Sequence, residues 1–135
     1  MQDIQDMLIY VHSAVRWLIL SLAVFGAARS FVSMLSVSAR FSKLDLGVSR
    51  AYAVLLDVQL LVGGLLILAA LTLAQSVPWI HTIVMIPAVA VAHLSRRFAS
   101  QPDRKRHQVQ LGIYLGSFIL IAIGLAVIGR LSLPG

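Results

Sequence analysis

The sequence predicts an all-α fold, an integral membrane bundle of four helices running up and down. Three observations carry that expectation. Hydrophobic residues make up 59% of the 135-residue chain and charged residues only 12%, with a mean hydropathy of +0.92. Soluble domains carry about 25% charged and about 45–50% apolar residues. Four apolar stretches, Leu8–Ala27, Ala51–Ala74, Val77–Leu94 and Leu111–Leu133, approach the length that crosses a bilayer core, about 20 residues. Nine of the 11 basic residues fall in alternate connections between those stretches. Spans and connections account for nearly the whole chain, so residues 1–135 read as a single transmembrane domain with no soluble module.

The first span, Leu8–Ala27, is helical because hydrocarbon offers its backbone no partner outside the segment. The residues before it do not read as a cleavable signal: Asp3 and Asp6 stand where a signal carries positive charge, and His12 and Arg16 interrupt the apolar run. The serines of Phe31–Ser38 suit an interfacial continuation of this helix, and Arg40–Val48 reads as the longest polar connection, suited to a short surface helix. The second span, Ala51–Ala74, carries Asp57, Gln59 and the pair Gly63-Gly64. The third, Val77–Leu94, opens near Pro78, a good first-turn residue, and contains Pro87, whose ring opposes the carbonyl four residues back and predicts a kink. The fourth, Leu111–Leu133, holds Gly112, Gly116 and Gly124; the first two have the spacing of a close helix–helix contact. There is no internal repeat and no low-complexity tract.

The formal net charge of +6 raises the question of nucleic acid, and its distribution answers it. Arg29, Arg40, Lys43 and Arg50 fall between helices one and two; Arg96, Arg97, Arg104, Lys105 and Arg106 fall between helices three and four. Ala74–Pro78 has no charge, and Arg130 is the one basic residue on that side. This is the positive-inside pattern, which places both basic loops in the cytoplasm and both termini outside. The lipid bilayer, with its anionic headgroups, is the expected partner, not a nucleic acid. The chain has no cysteine, which excludes disulfides, cysteine-held iron–sulfur clusters and covalent c-type haem.

His12 and His81 are the candidate ligands. Each lies about one turn into its helix, at about 1.5 Å per residue, and helices one and three run in the same direction, so the depths match. In an up-down bundle those helices are diagonal partners facing one core, where cofactor sites are built. Two imidazoles so placed suit the two axial positions of a haem b iron. The alternative is that each meets only lipid or water. Intramembrane ionisable residues are costly and usually functional, which favours the ligand reading.

His93 follows His81 by 12 residues and, at about 100° per residue, points about 120° away. A second haem using His93 and His107 is the weaker expectation, and His107 reads as solvated in the basic loop. Met85, one turn beyond His81, is a possible additional ligand and more simply core filler. Arg16 and Asp57 lie within the spans, where an unpartnered charge costs about 2.5–3.5 kcal/mol. An Arg16–Asp57 ion pair with Gln59 beside it is expected, either fixing helix register or serving a proton path or a quinone headgroup.

His12-Ser13-Ala14-Val15-Arg16-Trp17, then Asp57-Val58-Gln59-Leu60-Leu61-Val62-Gly63, then His81 to Met85 and Ala92 to Arg96 resemble small bacterial four-helix membrane proteins labelled cytochrome b-like. The family pattern is H-S-x-x-R-W, D-x-Q-x-x-x-G and H-x-x-x-M followed by A-H-x-G-R; Ser95 stands where that last glycine would be. The resemblance covers the first three helices and is weak in the fourth. It implies b-type haem and electron transfer in the bacterial inner membrane, supports His12 and His81 as ligands, and gives His93 more weight than its angle does.

Together these readings give a membrane haem protein that passes electrons, alone or as a small subunit of a respiratory or photosynthetic complex. A quinol or a periplasmic redox protein is the expected redox partner, and no catalysed reaction is assigned. Two rivals use the same residues: a non-catalytic accessory or assembly subunit, and a binder of a chlorophyll-type pigment or of copper at His12, His81 and Met85.

Overall fold

The computed structural model describes residues 1–129. Four helices form: α1 (Gln2–Leu35), α2 (Lys43–Thr72), α3 (Trp79–Ala92), which tightens into a 3₁₀ segment over His93–Phe98, and α4 (Asp103–Val127). Each helix packs on its neighbours in sequence, and α4 returns to close the ring on α1, so α1 and α3 sit on a diagonal. All four units, with α3 and its 3₁₀ extension taken together, are long and apolar enough to cross a membrane. Their outward faces carry Trp17, Phe25, Leu61, Ile83 and Ile119, each about half exposed or more. Apolar residues on every side suit helices in lipid rather than water.

The helices outrun the apolar stretches. α1 continues straight through Phe31 to Leu35. α2 starts at Lys43, in what reads from sequence as a polar connection, because Ser42 and Asp45 form a capping box: Ser42 Oγ accepts from the Asp45 N–H at 3.3 Å, and Asp45 Oδ2 accepts from the Ser42 N–H at 2.8 Å. Asp45 also accepts from Arg29 Nε at 2.8 Å, which ties the foot of α2 to α1. α4 likewise begins eight residues before the expected Leu111, directly after Pro102. α3 runs helically through Pro87. The expected end of the fourth span at Leu133, and Arg130, lie outside the described residues.

The core is built on two tyrosines. Tyr52 and Tyr114 are fully enclosed and meet edge to face, centroids 5.1 Å apart, with Ile19, Ala23, Leu56, Ala88 and Ile121 around them. Gly26 admits the Tyr114 ring against α1: a Cβ there would overlap three of its ring atoms. The Tyr52 hydroxyl bonds to the buried Ser117 Oγ, which also donates to the Ile113 carbonyl at 2.6 Å. Gly112 and Gly116, expected at a close helix contact, instead face open space, since a Cβ on either would meet nothing within 4 Å. The close approaches belong to Gly26 and Gly124.

Both basic segments lie at one end of the bundle, and much of their charge is spent on the 36–42 connection. Arg104 donates to the carbonyls of Met34 and Ser36, and the Arg106 guanidinium lies 3.9 Å from the Phe41 ring centroid. His107 is not solvated, as its place in the sequence suggests. It is wholly buried inside α4, its Nε2 3.1 Å from the Arg40 carbonyl and its ring 5.0 Å from that of Phe41.

Candidate functional site

The end of the bundle away from the basic segments is fastened by Gln5, whose Nε2 donates to Gln75 Oε1 at 2.7 Å across the α2–α3 turn. His12 and His81 face inward at this end, both partly buried, from the diagonal helices α1 and α3.

The His81 imidazole is fixed from α4. Its Nδ1 lies 3.0 Å from the Gly124 carbonyl oxygen, so the contact is a hydrogen bond only if Nδ1 carries the proton. That tautomer leaves the Nε2 lone pair free, and an imidazole so oriented by a backbone carbonyl is the common form of a metal-bound histidine. A Cβ on Gly124 would displace the Met85 methyl group and come within 3.3 Å of His81 Nδ1. Met85 therefore packs on Gly124 beside the imidazole.

The His12 side is held from α2. Gln59 Nε2 donates to the His12 backbone carbonyl at 2.9 Å. Gly63 leaves room at the imidazole; a Cβ there would sit 3.6 Å from His12 Cε1. His12 Nδ1 and Gln59 Oε1 are both enclosed without a hydrogen-bond partner. Buried polar atoms are rarely left so, and such a pair marks a place where a ligand or water completes the set.

Asp57, expected to pair with Arg16, meets His93: Oδ1 and Nε2 are 2.8 Å apart, with the Asp57 side chain 51% exposed. The Arg16 guanidinium lies 5.3 Å from the Trp17 ring centroid. His93 therefore sits well away from the His12–His81 end, in the first turn of the 3₁₀ segment, with a carboxylate on its ring nitrogen.

No protein-family model, curated protein or solved structure matches this chain.

The residues that could hold a metal-centred cofactor are two imidazoles on facing helices, His81 with its Nδ1 against a backbone carbonyl and His12 with an unpartnered Nδ1. A bare metal ion is poorly served, since no three His, Asp or Glu side chains converge on one point among the described residues. A cavity of about 480 Å³ lies at the basic end and not between the imidazoles. Sequence spacing puts His12 and His81 at one end of the bundle but misses Gly124 and Gln59, whose carbonyl and amide contact them. The i to i+4 spacing of Gln59 and Gly63 was the available signal, since it puts an amide and a gap on one face of α2.

Proposed function

We propose that this chain is a multi-pass membrane protein that binds haem b through His12 and His81 and passes electrons, alone or as a small subunit of a larger complex. The observation that carries the reading is the His81 Nδ1–Gly124 carbonyl bond, which presents Nε2 on the helix diagonal to the unpartnered His12 Nδ1. The group supplies one-electron redox chemistry when bound. The chain's own residues set its surroundings: the Gly124 carbonyl orients the His81 imidazole, Gln59 holds α1 at His12, and Gly63 lies beside the His12 ring. Ligand identity, hydrogen bonding and burial are the means by which a protein tunes such a centre. The charge pattern supports a topology with the termini and the α2–α3 turn outside a bacterial inner membrane and the basic end in the cytoplasm.

The test is a reduced-minus-oxidised absorption spectrum of the protein purified in detergent. Low-spin haem bands are expected in the native chain, lost or converted to a high-spin form in His12→Ala and His81→Ala, and retained in His93→Ala. Loss with His93→Ala alongside survival in His12→Ala refutes the ligand assignment. A purified chain without haem refutes the redox reading and leaves the accessory-subunit reading in its place.

A further inference from the structure

A cavity of about 480 Å³ opens at the basic end between α2, the 3₁₀ segment and α4. That volume lies within the roughly 300–1,000 Å³ of small-ligand sites. Three arginines from three different elements line it: Arg50, Arg96 and Arg106. No carboxylate lines it, and among the described residues none of the three forms an ion pair, whereas Arg29 nearby is neutralised by Asp45. Three like charges drawn to one concavity repel one another and concentrate a positive field there.

The lining has a polar side and an apolar side. Ser49 Oγ donates to Gln110 Oε1 at 3.1 Å, and Gln110, only 3% exposed, keeps its Nε2 without a partner. Val54 and Phe98 supply apolar wall, and Phe41 carries the Arg106 guanidinium on its ring. A small inorganic anion would satisfy the arginines and leave that wall uncovered. An amphiphile with an anionic head would cover both.

We infer that this cavity is a binding site for an anionic phospholipid, its phosphate held by Arg50, Arg96 and Arg106 and the start of its apolar portion laid along Val54 and Phe98. The inference rests on the membrane placement proposed above and not on the haem. A failure of that placement reads out separately, as protein recovered in the soluble fraction without detergent.

The test is native mass spectrometry of the full chain in neutral detergent with added phosphatidylglycerol or phosphatidylcholine. Phosphatidylglycerol is expected to bind at least tenfold more tightly. Each arginine near an anionic group is worth roughly fivefold, so Arg50→Gln with Arg96→Gln should weaken phosphatidylglycerol by more than tenfold. Both side chains are exposed, so an unchanged lipid-free melting temperature checks that the fold is kept. Arg97→Gln with Lys105→Gln makes the same charge change outside the cavity and should cost less than threefold. Equal binding of the two lipids, or equal losses from the two double variants, overturns the site. Displacement of the lipid by millimolar inorganic phosphate overturns the lipid and assigns the arginines to a free anion.

Discussion

Replacing Gly26 by alanine tests how tightly the α1–α4 contact is built. An added Cβ would fall within 3.0 Å of Cζ, Cε1 and Cε2 of Tyr114. That ring cannot swing aside cheaply: Tyr114 is 1% exposed and its edge-to-face neighbour Tyr52 is 0% exposed. Overfilling a packed core costs about 1–3 kcal/mol, and contact with three ring atoms at once argues for the upper part of that range. Glycine to alanine inside a helix returns about 1 kcal/mol. The net loss is therefore about 2 kcal/mol, or roughly 8 °C in apparent melting temperature at about 4 °C per kcal/mol for a chain of this size. Thermal unfolding in a fixed detergent measures it, with Tyr114→Leu and the double variant completing a cycle. The double variant should lose clearly less than the sum of the singles, because the collision vanishes with the ring. An unchanged or raised melting temperature in Gly26→Ala would refute the close approach of these helices.

Three further outcomes follow from the packing. Asp45→Ala removes the acceptor of Arg29 Nε, Ser42 N–H and Ser42 Oγ at a site 6% exposed; a loss of about 2–3 kcal/mol in thermal unfolding is expected, with faster proteolysis between residues 36 and 42. His107→Ala empties a fully enclosed position and should cost about 2–4 kcal/mol, where a solvated loop histidine would cost nothing measurable. Asp57→Asn and His93→Ala should show a coupling of only about 0.2–1 kcal/mol in a double-mutant cycle, since both side chains are a third exposed or more.

The four helices were legible because composition alone decides them: a run of apolar residues without backbone partners has one stable form in lipid. The placement of His12 and His81 on a diagonal followed from counting turns. Helix ends were not legible from hydropathy, because α2 and α4 begin in charged segments whose helicity rests on other signals. One of those signals was local, the Ser42-x-x-Asp45 spacing of a capping box. The burial of His107 was not, since it depends on Arg40 and Phe41 folding back over α4 from far away in sequence. The contact of Asp57 with His93 has a simple reading. Asp57 and His93 are equally distant from Gln75 in the α2–α3 turn, and residues so related meet in an antiparallel hairpin. Symmetry about the turn, which depth along a single helix does not capture, brings His93 to Asp57.

The Gly124 carbonyl belongs to the last turn of α4, where main-chain acceptors run out of donors from their own helix. His81 thus does for α4 what a terminal capping residue does, but from a different helix. The point at which one helix stops and the protonation pattern of an imidazole on another become a single variable. Residues that carried α4 onward as regular helix would supply this oxygen with a main-chain donor and weaken its hold on Nδ1. The opposite nitrogen would then be free to take the proton, and His81 would present a donor where it now presents a lone pair. Sequence changes just after Val127, remote from either histidine in the chain, are therefore able to switch the character of the site without touching any residue that lines it.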